Sequence, residues 1–111
     1  MAESWRTPTN LLFEVRTPLG FSVRVTKARW ELITTVKDPV MTGREAIVKM
    51  ALENPDEVRQ SRSDAEVFLF YKAAGTRCWV CAVAKEVRDQ AFLVHAYPTD
   101  AIKEGTHAWP K

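Results

Sequence analysis

Two apolar segments with only three residues between them constrain this fold more than any other sequence feature. They are CWVCAVAKEV, residues 78–87, and AFLVHAY, residues 91–97. Both are rich in the β-branched and aromatic residues that favour strands, and so short a connection joins strands only in antiparallel order. The sequence therefore predicts an antiparallel strand pair in this part of the chain.

The pairing of these two strands decides which side chains share a face. We assume that residue 87 pairs with residue 91, which fixes every other pair along the ladder. This register pairs Lys85 with Leu93, Val83 with His95, and Cys81 with Tyr97. Together with Trp79, these six side chains are then expected on one face, and a slip of one residue would turn the set around.

A β-hairpin is predicted near the start of the chain. Apolar and polar residues alternate in LLFEVR (11–16) and in FSVRV (21–25), as in strands with one solvated face. Pro18 and Gly20 stand where a type I turn favours proline and glycine. Residues 1–10 are predicted to form a loose leader, and residues 11–111 a single α+β domain.

Two amphipathic helices are predicted after the hairpin. The first starts at Thr26, which can cap it, and ends before Pro39. The second starts at a predicted capping box, in which Thr42 and Glu45 each satisfy a backbone N–H, and it ends before Pro55. Both helices are interpreted as scaffold.

The remaining segments complete the predicted fold class. EVRQS (57–61) is short and polar and is expected to be an edge strand, whereas VFLFYK (67–72) is apolar on both faces and is expected inside the sheet. The chain is therefore predicted to be an α+β domain. In it, an N-terminal β-hairpin and two helices pack on a three- to four-stranded antiparallel sheet.

Composition limits the possible classes of protein. The 111 residues are 46% apolar and 27% charged, which is typical of one globular domain. A net charge of +2 does not by itself indicate nucleic-acid binding. No apolar run approaches the roughly 20 residues of a membrane span, and no signal peptide is visible. With only two cysteines, a cytoplasmic, reducing location is expected.

Cys78 and Cys81 form a C-x-x-C motif, so a zinc or redox site has to be considered. The second pair of ligands at zinc-finger spacing is missing. Residues three apart on a strand also face opposite sides of the sheet. Two reduced thiols in or near the core are therefore favoured, and no metal or cofactor is predicted.

His95 is the strongest candidate for chemistry because of the residues expected beside it. A histidine in an apolar strand is usually packed or hydrogen-bonded. Here Lys85 would lie diagonally across the strand pair at roughly 7–8 Å, and Tyr97 follows on the same face. An imidazole, a cation and a phenol together could supply general acid–base catalysis and stabilise an anion.

Several segments carry a resemblance to a known family. They are residues 30–72, WVCAVAKE and FLVHAYPTDAIKEG, and the similarity is strongest in ALENPDEVRQSRSD and AYPTDAIKEG. The chain resembles short uncharacterised bacterial proteins that are similar to the barnase–EndoU–colicin–RelE class of small RNase folds, with phage-associated and toxin-like members. The resemblance implies a metal-independent site on an open sheet face, where RNA is cleaved by transesterification.

The resemblance also implies roles for particular residues. Lys85 and Arg62 would contact phosphate, and Tyr97, Thr99 and Lys103 would line the site. Together with His95, which the residues expected beside it single out, the predicted catalytic group is Lys85, Arg62, Tyr97 and His95, and the predicted substrate-binding residues are Ser61, Thr99 and Lys103. RNA is the implied ligand, a small antitoxin-like protein is the alternative partner, and no membrane is involved.

The sequence departs from the family pattern at three positions. Leu32 and Asp38 stand where relatives are expected to carry histidine, and His95 stands where threonine is expected. Either the acid–base role has moved to His95, or this member does not catalyse the reaction. The leading hypothesis is a toxin-like or phage-associated domain that binds RNA and is a candidate for cleaving it. The alternatives are a catalytically silent interaction module and a small zinc-binding domain.

Overall fold

The computed structural model describes residues 10–88 and 90–111. The predicted leader, apart from Asn10, lies outside the described residues. The strands are β1 (Leu11–Arg16), β2 (Ser22–Thr26), β3 (Glu57–Gln60), β4 (Val67–Gly75), β5 (Cys78–Val87), β6 (Gln90–Thr99) and β7 (Thr106–Trp109). The helices are α1 (Lys27–Leu32), which continues as the π-helical turn Ile33–Lys37, then the 3-10 turn Pro39–Met41, and α2 (Glu45–Glu53).

The sheet is larger than predicted, and the predicted fold class is wrong. The seven described strands form one mixed sheet in the order β1-β2-β6-β5-β4-β3-β7. The β1–β2 hairpin is present, but it extends the sheet through a short parallel pairing of β2 with β6. Alternation within a segment identifies a strand but not the neighbour along its outer edge, so the sequence could not place the hairpin.

The expected edge strand is also misplaced. β3 pairs with β4 on one side and with β7 on the other. The four residues of β7 were not predicted as a strand, because THAW is too short to show a period. β7, rather than β3, is therefore the outer strand at this end of the described sheet.

One face of the sheet carries the helices and the main hydrophobic core. The fully buried residues of this core include Val23, Val58, Phe70, Val80 and Ala82 from the strands and Ile33, Met41, Val48 and Leu52 from the helical segments. Burying each large apolar side chain contributes about 1.5–3 kcal/mol. No helix in the described part of the chain has the length and apolarity to cross a membrane.

The predicted cap of the first helix is present, whereas the predicted capping box of the second helix is not. Thr26 caps α1 as expected, since its hydroxyl accepts the Arg29 backbone N–H at 3.1 Å. The capping box of Thr42 and Glu45 does not form, because α2 begins after Arg44. The Thr42 hydroxyl instead donates to the Pro39 carbonyl at 2.8 Å and closes the 3-10 turn.

A β-bulge at Val94 changes the predicted face of the central strands. Val83 pairs with His95 as expected, but Ala84 pairs with Leu93, which leaves Val94 as an extra residue. Lys85 therefore lies opposite Phe92, and the predicted pairing of Lys85 with Leu93 is wrong. The assumed pairing of Val87 with Ala91 is wrong for the same reason, because Val87 pairs with Gln90. The alternation of apolar residues along one strand does not reveal a bulge, because a bulge is defined by how two strands pair.

Candidate functional site

The sheet face opposite the helices carries a pocket of about 550 Å³, which we call the open-face pocket. Its floor is apolar and comes from β4 and β5: Val67, Leu69 and Val83. Its polar walls come from three separate stretches of chain: Ser61, Arg62 and Ser63; His95 and Tyr97; and Lys103, Glu104 and Gly105. The volume lies within the usual range for small-molecule sites.

His95 and Tyr97 stack against each other on one wall. Their ring centroids are 5.3 Å apart and the rings are inclined by 27°. Both face the pocket because the bulge at Val94 shifts the alternation of β6, whereas Ala96 between them points into the core. The pair forms a short aromatic stack beside the cations of the pocket.

The inner nitrogen of His95 has no hydrogen-bond partner. Its Nδ1 atom is buried and unpaired within the described part of the chain. Burial lowers the pKa of His95, the nearby Lys37 ammonium lowers it further, and Asp38 acts in the opposite direction. Since the charged ring carries a proton on both nitrogens, ionisation would create a buried N–H donor without an acceptor. His95 is therefore neutral at pH 7.

Tyr97 is tied to a buried thiol beneath the pocket. Cys81 pairs across the ladders with Tyr97 on one side and Tyr71 on the other. Burial and the neighbouring Cys81 raise the pKa of Tyr97, while burial raises the pKa of Cys81 to about 12. Both groups are therefore protonated at neutral pH, so Tyr97 contributes an aromatic surface rather than a phenolate.

Arg62 places a cation at the pocket rim. It lies in the β3–β4 loop, which is ordered by the Ser61 N–H donating to the Val67 carbonyl at 2.9 Å. Within residues 10–88 and 90–111, no carboxylate lies within ion-pairing distance of Arg62. Ser61 and Ser63 add hydroxyls 3.2 Å apart.

Lys103 faces the same pocket from the segment between β6 and β7. Its Nζ lies 3.7 Å from Asp100, and its side chain is 67% exposed, so this ion pair is weak. The segment is held against β3 where Arg59 donates to the Gly105 carbonyl at 3.2 Å. Glu104 also lines the pocket, which leaves the polar wall with two cations and one carboxylate.

Two of the predicted site residues lie outside the pocket. Lys85 shares its face of β5, but its Nζ is 3.3 Å from Asp64 and 3.9 Å from Glu66. Lys85 therefore forms ion pairs with both carboxylates and does not line the pocket. Thr99 donates its hydroxyl to the Ala101 carbonyl at 3.1 Å and stabilises the turn after β6.

The sequence did not identify every residue of the pocket wall. Ser63, Glu104 and Gly105 line it as well. All three lie within the segments that carry the family resemblance, but their place beside His95 depends on the pairings of β3 with β4 and β7. Only the proximity of loops in the folded sheet reveals them.

The two cysteines lie in different environments. In the described part of the chain, no group of three or more histidine, cysteine, aspartate or glutamate side chains is placed to hold an ion. Cys81 is buried beneath the pocket, and Cys78 lies at the start of β5 opposite Gly75. The core-thiol interpretation of Cys81 fits its burial.

No family model, curated protein or solved structure matches this chain in comparisons of sequence and structure.

Proposed function

We propose that the protein binds single-stranded RNA in the open-face pocket. The observation that supports this best is the meeting of two cations, Arg62 and Lys103, with the stacked rings of His95 and Tyr97 in one concavity. Proteins that bind single strands combine cations for the phosphates with aromatic rings on which bases stack. A folded duplex does not expose base faces in this way.

Each part of the pocket has a distinct role in this proposal. Arg62 and Lys103 contact successive phosphates, and the guanidinium of Arg62 is suited to bidentate contact. Tyr97 and His95 provide the surface against which a base stacks. The hydroxyls of Ser61 and Ser63 line the wall beside Arg62, where they are suited to pair with a ribose 2′-OH, the group that distinguishes RNA from DNA.

We propose that the pocket binds RNA, and we do not propose that it cleaves RNA. Transesterification requires a base, an acid and a cation around one phosphate. Lys85, which was expected to supply the cation, is held by Asp64 and Glu66. His95 has an Nδ1 atom that is buried and unpaired within the described residues, and the raised pKa of Tyr97 makes its phenol a poor proton donor. We therefore assign neither acid nor base.

Fluorescence anisotropy with a labelled RNA of about ten nucleotides tests the proposal. With two phosphate contacts, the logarithm of the association constant should fall with the logarithm of salt concentration at a slope of about −1.4. Arg62→Gln and Lys103→Gln should each reduce the magnitude of that slope by about 0.7. Tyr97→Leu should weaken binding by about 1–3 kcal/mol through lost stacking, and Tyr97→Phe should not.

Matched controls come from the surface away from the pocket. Lys49→Gln changes an exposed lysine on α2, which packs on the other face of the sheet, and Arg16→Gln changes an exposed arginine on β1. Neither should alter binding. Equal losses for Lys49→Gln and Lys103→Gln would indicate unspecific attraction and reject the pocket. DNA of the same sequence should bind more weakly, and degradation of the RNA, lost in His95→Ala, would extend the function to catalysis.

A further inference from the structure

Two helical turns lie next to β6 near the bulge. β2 pairs with β6 only at Ala91 and Phe92. Beyond these residues, the same edge of β6 is approached by the π-helical turn Ile33–Lys37 and the 3-10 turn Pro39–Met41. π-helical turns occur frequently at functional sites, as do β-bulges. Here the two irregularities meet.

Lys37 connects them directly. Its Nζ lies 3.4 Å from the carbonyl oxygen of Val94, a residue 57 positions later in the chain. Val94 is the bulged residue, so its backbone groups are outside the regular ladder. The hydrogen bond gives this carbonyl a charged donor from outside the sheet.

We propose that Lys37 is a positioning residue of the open-face pocket, which fixes the Val94 bulge and thereby the orientation of the His95 ring toward the ligand. The inference rests on the proposed RNA-binding function for its biological meaning. Its physical content is separate, since it concerns the coupling of one lysine to one histidine.

In addition to its hydrogen bond to Val94, Lys37 affects His95 through the charge of its ammonium group. Both the burial of His95 and the Lys37 ammonium lower its pKa, with Asp38 opposing them from the same helical end. On the pocket side, Arg62 and Lys103 have the same sign as Lys37, and Glu104 has the opposite sign. Tyr97, stacked on the ring, is protonated and adds no charge.

The neutral ring has a consequence for binding. A neutral imidazole stacks on a base without attracting additional phosphate, so affinity depends little on pH above the lowered pKa of His95. Without Lys37, protonation of His95 becomes easier, and the pH at which affinity begins to rise moves upward. Replacing Lys37 also removes the hydrogen bond to the Val94 carbonyl, so the bulge no longer holds the His95 ring in its orientation toward the ligand.

Proton NMR titration of the His95 ring provides the test without any RNA. Lys37→Met should raise the pKa of His95, whereas Lys37→Arg, which keeps a charged donor, should leave it near the wild-type value. Lys27→Met is the matched control, because Lys27 is an exposed residue ten positions earlier, about 15 Å away along a helix, and it should have no effect. Should Lys37→Met not fold, Lys37→Gln serves as the same test.

Binding measurements then connect the lysine to the site. At about pH 7.5, Lys37→Met should bind the RNA about three- to tenfold more weakly, as expected when one hydrogen bond is lost. Its affinity–pH profile should be displaced to higher pH relative to wild type. An unchanged pKa of His95 in a folded Lys37→Met variant overturns the inference, and so does a raised pKa with unaltered RNA binding. A wild-type protein that binds no RNA rejects the proposed function instead, and the titration still decides the role of Lys37.

Discussion

Leu93 and His95 lie two residues apart in the same strand, yet they face opposite sides of the sheet. Leu93 is buried in the core beneath the helices, and His95 lines the open-face pocket. In a regular strand they would share a face. The extra residue between them, Val94, reverses the alternation and so brings both His95 and Tyr97 to the pocket.

Deletion of Val94 should therefore leave His95 and Tyr97 on the pocket face. Without the extra residue, Leu93 and His95 become adjacent, and adjacent residues of a regular strand face opposite sides of the sheet. The pairs Ala84–Leu93 and Val83–His95 then follow each other without a bulge, and Ala96 still points into the core. The deletion should cost no more than about 2 kcal/mol, and Val94→Ala, which keeps the bulge, about 1 kcal/mol or less. Urea unfolding measures both, and a loss of more than about 3 kcal/mol on deletion would contradict this alternation.

Gly105 should tolerate substitution less well than Gly43. Both have positive φ, +85° and +80°, so alanine is strained by about 1 kcal/mol at either position. Only at Gly105 would a Cβ also collide, 2.7 Å from the Gln60 carbonyl oxygen. We expect Gly43→Ala to cost about 1 kcal/mol and Gly105→Ala about 2–4 kcal/mol. Equal costs in denaturant unfolding would contradict the close approach of this segment to β3.

His107 should make stability depend on pH. Its Nδ1 lies 2.9 Å from the Glu57 carboxylate and its Nε2 faces the Pro110 carbonyl, so both ring nitrogens have acceptors. The hydrogen bond to Glu57 raises the pKa of His107. Its contribution is therefore fully present below the unfolded pKa of about 6.5 and is lost as pH rises through the folded value. His107→Gln should lower the free energy of unfolding more at about pH 5.5 than at about pH 9.

Glu57 sets the acidic limit of the same interaction. Burial raises the pKa of Glu57, but hydrogen bonds from His107 and Arg59 outweigh it, and the net pKa is lowered. Its contribution is present above the unfolded pKa of about 4.3 and is lost as pH falls through the folded value. The His107–Glu57 pair should therefore stabilise β7 most between about pH 4.5 and pH 6.5. A difference between wild type and His107→Gln that does not change with pH would contradict a charged His107.

The two cysteines should differ in reactivity. Cys81 is fully buried and its pKa is raised to about 12, so it is almost never the reactive thiolate. Cys78 is only half-buried. Iodoacetamide should label Cys78 but not Cys81 in the folded protein, and both in urea, as mass spectrometry would measure. Rapid labelling of a folded Cys78→Ala variant would show that Cys81 is accessible.

Part of this architecture could be predicted from local pattern. The β1–β2 hairpin, the cap at Thr26 and the pairing of Val83 with His95 follow from alternation, turn chemistry and capping, which act over a few residues. The seven-stranded sheet could not be predicted in this way. The contacts of β2 with β6 and of β3 with β7 join segments about 50–70 residues apart, and nothing in either segment identifies its partner.

The candidate site could also be predicted only in part from local sequence pattern. Residue type and strand alternation predicted that His95 and Tyr97 share a face, whereas Arg62 and Lys103 were implied only by the family resemblance. The tertiary structure decided that these four meet while Lys85 is held by Asp64, because the bulge and the loop positions depend on packing between distant strands. Side-chain chemistry is a property of the sequence, whereas the choice of neighbours is made by the fold as a whole.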